Sequence, residues 1–460
     1  MERSALEIAR RLPNDFVFGT ATSSWQIEGD SKGRGNSMWD DFAKIPGNII
    51  DGTTADPACD HIHNWRKDLD ILSWLGVDAY RFSVSWPRVQ PEGTGKVLES
   101  GLAFYDQLID ELLLRNIKPV LTLYHWDLPS PLQAKGGWVW EGISDIFADY
   151  AEIVAKKYAD RVERWITLNE PWCSAFLGYA SKVHAPGAGK PAQGFEAGYR
   201  LMLAHGRAIN VLRSNSAKNL GIALNLTNII GDDPEVAEAV EHLDGLQNRY
   251  WLDQLAGRGI PQDMVARTSN FVDWSFVKQS ELKEISQPID WLGINYYTPT
   301  RIAKPSKADS GKIVGQSGDV NPGTPPASYI AREPRTEMGW EIDASSLTTT
   351  LKQTAERLPG VPLYLTENGA AFPDQIVNGK IVDNDRIDYY YNHINAALDA
   401  MDQGVDLRGY YAWSLLDNIE WAEGWTKRFG LIYVDQYTQA RTPKASAEFI
   451  KEILANRTKD

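Results

Sequence analysis

The sequence predicts an α/β protein, a single (β/α)8 barrel with long loops at the carboxyl-end face of its strands. Three observations predict it. Eight short runs rich in β-branched and aromatic residues recur along the 460 residues. Stretches with apolar residues at three- and four-residue steps lie between them. The linkers that separate domains would need are missing, although length alone would suggest about three domains. Strand and helix alternating in this way close a parallel barrel, so residues 1–460 read as one domain.

The strand runs come in order: FVFGTATSSWQ from Phe16, VDAYRFSVSW from Val77, IKPVLTLYHW from Ile117, VERWITLNEP from Val162, NLGIALNLTN from Asn219, IDWLGINYYT from Ile289, VPLYLTENG from Val361 and LRGYYAWSLL from Leu407. Amphipathic stretches such as 102–116 and 143–161 supply the helices between them. Residues 298–338 show neither period and are rich in Pro, Gly, Ser and Lys, so they read as a long loop after the sixth strand. Further insertions are expected at 27–60, 171–193 and 417–429, where they would deepen a pocket at the barrel mouth.

Composition narrows the function. Lys and Arg number 47 against 61 Asp and Glu, a net charge of −14, which disfavours nucleic acid and an anionic membrane surface. The longest uncharged run is 13 residues, 219–231, short of the roughly 20 that a spanning helix needs. Cys59 and Cys173 make no disulfide framework and no CxxC pair. The first residues carry charges where a secretory signal would be apolar, so the expected location is the cytoplasm. Seventeen tryptophans offer flat apolar area plus one N–H each, the chemistry of a sugar-binding surface.

Nearly every strand run ends in a functional group: Gln26 beyond the first, Arg81 in the second, His125 after the third, Asn169 and Glu170 after the fourth, Asn295 and Tyr297 after the sixth, Glu367 after the seventh and Trp413 at the eighth. A solvated loop start explains any one of these better than a site does. It explains poorly their recurrence on seven strands, all converging on one mouth. Glu170 and Glu367 sit in uncharged surroundings, TLNEPW and LYLTENG. Paired carboxylates suit acetal cleavage, in which one protonates the leaving oxygen and the other stabilises positive charge at carbon. Two structural carboxylates paired with a barrel arginine such as Arg81 would be the bland alternative.

His61 and His63 form an HxH, but in a loop-to-helix region away from a strand end, so no metal site is expected. Gly187, Gly189 and Ala192 match a dinucleotide fingerprint, yet the segment contains Pro191 and follows no strand. No organic cofactor is expected.

These motifs together make the sequence similar to the β-glucosidases of glycoside hydrolase family 1. The resemblance runs from Phe16 to about Leu454 through PNDFVFGTATSSWQIEG, YRFSVSWPRVQP, TLYHWDLP, TLNEPW, INYYTP, EMGWEI, YLTENG and YAWSLLDNIEWAEGWTKRFGLIYVD, in the expected order. It implies Glu170 as acid/base and Glu367 as nucleophile of a retaining double displacement, a pair about 5–5.5 Å apart. By the same resemblance Gln26, His125, Asn169, Glu420 and Trp421 would bind the sugar hydroxyls, with Trp413 as the floor beneath the ring. Asn295, Tyr297 and Arg81 would orient the glutamates, and Trp340 would line the aglycone side. Trp172 and Leu177 would form an apolar neck there, a pair that some glucose-tolerant members share.

The phospho-specific branch of that family grips a 6-phosphate with a Ser and a Lys-x-Tyr, where this chain has Trp421, Lys427 and Phe429. The thioglucosidase branch replaces the acid/base glutamate by glutamine, and Glu170 is intact. The resemblance therefore implies an O-glycosidase acting on β-glucosides such as cellobiose, cellooligosaccharides or aryl glucosides, with galactosides and fucosides open as alternatives. A catalytically silent sugar-binding barrel is the reading from another class. Oligomeric state is not legible in the sequence.

Overall fold

The computed structural model describes residues 4–306 and 315–457. Its centre is a closed barrel of parallel strands: β1 (Val17–Ala21), β2 (Ala79–Ser83), β3 (Lys118–Tyr124), β4 (Arg164–Asn169), β5 (Leu220–Asn225), β6 (Trp291–Asn295), β7 (Leu363–Asn368) and β8 (Leu407–Trp413). Each lies inside the run that predicts it. Gly19 of β1 pairs with Ala79 of β2 on one side and Tyr411 of β8 on the other, so the sheet closes without an edge. A Cβ on Gly19 would stand 2.5 Å from the Tyr411 ring, and only glycine fits that closure.

At least one helix lies between each pair of successive strands, among them α1 (His61–Leu75), α2 (Glu99–Leu114), α3 (Ile143–Tyr158), α4 (Pro191–Ser214), α5 (Ala237–Asp244), α6 (Ala344–Arg357) and α7 (Asn384–Asp402), with α8 (Ala445–Ala455) after β8. Helix α2 shows why. Leu102, Tyr105, Leu108, Ile109 and Leu112 recur at three- and four-residue steps and are all buried. Helix α6 starts where Asp343 accepts hydrogen bonds from the N–H groups of Ser345 and Ser346. Helix α1 stops at Gly76, which takes the left-handed conformation.

The expected loop 298–338 is only partly a loop. Two strands inside it, Thr300–Ala303 and Ser328–Ile330, pair with each other, and the first also pairs with Ile229–Gly231 from the connection after β5. Strands of three or four residues are too short to show a period. Residues 307–314 of this stretch lie outside the described residues. The insertion 171–193 is also more ordered than expected. It holds a π-helix, Cys173–Ala180, and its last three residues already belong to α4, whose first turn accepts Pro191 because that position needs no N–H donor.

Two irregularities aim the mouth. Pairing slips between Ile166 and Asn169 in β4, and between Leu365 and Glu367 in β7. Such a slip bends a strand and redirects the side chains beyond it. The affected positions are the ends that carry Glu170 and Glu367.

Candidate active site

A cavity of about 950 Å³, mouth included, opens at the carboxyl ends of the strands. Glu170 and Glu367 both line it, with His125, Asn295, Tyr297, Trp340, Trp413, Glu420, Trp421 and Phe429. Trp172 and Leu177 are also in its wall. Three expected residues stand behind the wall instead. Arg81 and Asn169 bridge the two glutamates from below, as described next. Gln26 donates its amide to the Ile419 carbonyl (2.9 Å) and to Asn418 (3.1 Å), so it props the loop that carries Glu420.

Arg81 organises the floor. Its Nη1 donates to Glu367 Oε1 over 2.6 Å and its Nη2 donates to Asn169 Oδ1 over 2.6 Å. A guanidinium can only donate, so the Asn169 atom facing it is the carbonyl oxygen. Asn295 Nδ2 donates to that same oxygen (2.9 Å) and to Glu170 Oε1 (2.6 Å), while Asn295 Oδ1 accepts from the Thr366 hydroxyl (2.7 Å). The Asn169 amide nitrogen then points to His125 Nε2 at 3.1 Å, which makes that nitrogen an acceptor and puts the imidazole proton on Nδ1. One donor-only cation thus fixes the direction of every hydrogen bond from Glu367 to His125.

The two glutamates have unequal settings. Glu367 receives the Arg81 guanidinium on Oε1 and the Tyr297 hydroxyl on Oε2 (2.5 Å). Glu170 receives the Asn295 amide on Oε1 and has the Cys173 sulfur 3.1 Å from Oε2. Burial pushes the Glu170 carboxyl up to about 8, and the nearby Glu367 charge adds to the effect. Burial raises Glu367 too, but Arg81 and Tyr297 oppose it. The single proton that the pair keeps near neutrality therefore sits on Glu170. Burial, with Arg81 nearby, pushes His125 well below its usual range, so its ring is neutral.

Aromatic rings make the rest of the wall. Trp413 lies nearly parallel to His125, with centroids 5.8 Å apart. Trp421 stacks on Trp25 and touches Trp126 at 4.3 Å. Tyr297, Trp340 and Phe429 form a second cluster with centroids 5.5–6.2 Å apart. Glu420 is half-buried, but its Oε2 is shielded from solvent and has no hydrogen-bond partner among the described residues. Burial, with the charges of Glu367, Glu423 and Glu170, pushes its carboxyl well above the usual range. A buried acceptor left open beside aromatic faces is suited to a polyol.

The sequence reading missed Trp126, Cys173, His184, Gln247 and Thr300, all in the cavity wall. Trp126 and Cys173 follow site residues closely enough to have been suspected, whereas His184 sits in an insertion without pattern. His61 and His63 do not converge: His61 turns inward to Asp68 at 2.8 Å, and His63 turns outward to Asp60 at 2.5 Å.

Comparison with known proteins agrees with this geometry. The model of glycosyl hydrolase family 1 matches residues 8–459. A bifunctional β-D-glucosidase/β-D-fucosidase of Bifidobacterium breve is 43% identical, covering 96% of this chain and 98% of its own. β-Glucosidase A of Thermotoga maritima is 40% identical, covering 97% and 98%. The solved structure of a Thermotoga maritima β-glucosidase in complex with noeuromycin superposes with a TM-score of 0.90 at 39% identity, covering 97% of this chain and 99% of that one.

Proposed function

The chain belongs to glycosyl hydrolase family 1, and from that premise we propose that it is a retaining β-glucosidase, releasing terminal nonreducing β-D-glucosyl residues by double displacement. The observation that carries the reading is the unequal setting of two buried glutamates in one cavity. Arg81 and Tyr297 favour the ionised form of Glu367, and Glu170 holds the proton. In the first step the Glu367 carboxylate bonds to the anomeric carbon while the Glu170 proton passes to the departing oxygen. Glu367 is then a neutral ester and no longer pushes Glu170 upward, so Glu170 becomes a carboxylate able to take a proton from water. Water bonds to the same carbon, the ester breaks, and both groups return to their starting states.

Glu420, Trp421 and His125 suit the hydroxyls of the glycone, and Trp413 its apolar face. Asn169 has both amide atoms engaged within the protein; its part is to tie His125 to the floor, and a 2-hydroxyl would have to share its nitrogen. Gln26 acts through the Glu420 loop. Trp340, Trp172 and Leu177 face the aglycone. The whole chain works as one catalytic domain on cellobiose, cellooligosaccharides or aryl glucosides, a role within cellulose breakdown. A cytoplasmic location is supported by two buried cysteines that form no disulfide. No helix among the described residues is long and apolar enough to cross a membrane.

A second reading, β-fucosidase activity at the same site, is favoured by the bifunctional Bifidobacterium relative. A rate panel of aryl β-glucoside, β-galactoside, β-fucoside and 6-phospho-β-glucoside, run with EDTA and followed by proton NMR of the first-formed sugar, tests both. The glucoside or fucoside should react fastest and release the β anomer first. A first product of α configuration, or a preference for the phosphorylated sugar, would overturn the reading.

A further inference from the structure

Glu170 Oε1 accepts from the Asn295 amide, and the Arg81 guanidinium, acting through Asn169, fixes that amide's direction. An oxygen facing a fixed N–H cannot conveniently carry the acid's proton. The transferable proton therefore belongs on Oε2, and Cys173 Sγ lies 3.1 Å from that oxygen. Cys173 starts the π-helix, and its own N–H donates to the Glu170 carbonyl over 3.0 Å. Backbone and side chain thus hold the same residue from two points. The thiol is buried and lies in the cavity wall.

We infer that Cys173 is a positioning residue whose thiol holds the proton-bearing oxygen of the acid/base and turns with the proton. In the resting enzyme the sulfur accepts from Oε2–H. Once that proton has moved to the leaving oxygen, the S–H rotates and donates to the carboxylate. When water gives its proton back to Oε2, the thiol returns to accepting. The thiol proton is never transferred, in keeping with burial and Glu170 pushing the thiol well above its usual range. A thiol is a weak donor and a weak acceptor, so it steadies both protonation states and favours the carboxylate only modestly. A hydroxyl would hold the carboxylate more tightly and ease its loss of a proton, and a methyl group would remove the contact.

The other ionisable or charged groups facing Glu170 come from all sides of the cavity: Arg81 of β2, His125 after β3, His184 beyond the π-helix, Tyr297 after β6, Glu367 of β7 and Glu420 after β8. All are unchanged by substitution at Cys173.

This inference rests on the assignment of Glu170 as acid/base. The experiment compares kcat/KM against pH for wild type, Cys173→Ala and Cys173→Ser on an aryl glucoside with a poor leaving group. The basic limb, which reports the Glu170 proton, should move up in Cys173→Ala and down in Cys173→Ser, each by about half a pH unit. Limbs that stay in place in both variants, with only the rate falling, would mean a packing role and overturn the inference. A second measurement needs no variant. Trapping wild type as its 2-fluoroglucosyl-enzyme leaves Glu170 ionised, and the infrared S–H stretch should shift as the thiol becomes a donor; an unshifted band would overturn it. Failure of the underlying assignment looks different: the basic limb would then persist in Glu170→Ala.

Discussion

Arg81 Nη1 lies 2.6 Å from Glu367 Oε1, and both side chains are almost wholly withdrawn from solvent, at 1% and 3% exposure. An ion pair at this depth is a poor source of stability, because desolvating both charges offsets most of their attraction. In the proposed mechanism its use is to keep the nucleophile ionised. Replacing Arg81 by Met should therefore raise the acid limb of kcat/KM, since Glu367 would lose its proton only at higher pH. It should also destabilise the fold by about 3 kcal/mol or more near neutrality, part of which returns in acid as Glu367 takes up a proton. Melting temperatures across pH, beside rate profiles, would check both; an acid limb that stays in place would refute the role.

Glu170 makes the opposite kind of prediction. Its carboxyl is raised from its ordinary value to about 8 by burial and by Glu367, so between roughly pH 4.5 and 8 the folded chain binds a proton that the unfolded chain has lost. Stability then falls as pH rises through that window. Glu170→Gln cannot titrate, so its melting temperature should gain on wild type steadily from about pH 4.5 to 8 and level off above. A constant difference across the window would mean that Glu170 is not raised. The acid thus weakens the fold at the pH where it works, a cost common at functional sites.

Glu420 is the third carboxylate in the cavity wall, and its Oε2 lacks a partner among the described residues. Sugar hydroxyls donating to Glu420 would favour its ionised form, so Glu420→Ala should cost about 2–4 kcal/mol in kcat/KM if two such contacts are lost. The wild type should also prefer a plain β-glucoside to its 6-phosphate, because the cavity wall holds no Lys or Arg among the described residues to pair the dianion, and Phe429 packs on Tyr297 and Trp340. Less than a tenfold loss in Glu420→Ala would remove it from the glycone site.

The barrel was legible because its strand runs are buried, β-branched and bounded by groups such as Arg81, His125 and Glu367, which would be wasteful anywhere but at a shared mouth. Elements that depend on partners far away in sequence were not. The strands Thr300–Ala303 and Ser328–Ile330 exist through pairing, the first with the Ile229–Gly231 segment, and no local pattern encodes that. Gln26 is an instructive case: its residue type and place after β1 fit a sugar contact, yet its amide donates to Ile419 and Asn418. Position near a site is readable in a sequence, but the direction in which an amide spends its hydrogen bonds is not. Nor does any local pattern in the sequence mark the contact of Cys173 with Glu170.

Trp172 and Leu177 are both buried in the cavity wall beside the acid/base, with Trp172 packed near Phe176 at 6.2 Å. An apolar neck of this kind disfavours a free glucose in the leaving-group position more than it disfavours an aryl aglycone. Glucose should therefore inhibit wild type only above the low millimolar range, and Trp172→Ala with Leu177→Ala should be inhibited at lower concentration. Inhibition constants from competition with an aryl glucoside decide it, and an unchanged constant would make both residues ordinary packing.

The two glutamates should fail in different ways when each becomes alanine, because they act at different points of the cycle. With Glu367 forming the covalent bond as proposed, Glu367→Ala should lose turnover of every substrate, whatever its leaving group. Azide entering the vacated space would attack the anomeric carbon from the nucleophile's face and give an α-glucosyl azide. Glu170 supplies a proton only to a leaving group that needs one. In Glu170→Ala an activated leaving group such as dinitrophenolate should still depart, after which the glycosyl-enzyme accumulates for want of a base. Azide needs no base, so it should speed release and yield the β-glucosyl azide. The basic limb of the rate profile should flatten in the same variant, since the proton it reports is gone. If the anomeric configurations of the azides came out exchanged, Glu170 and Glu367 would hold each other's roles; if neither variant lost activity, the chemistry would lie elsewhere in the barrel.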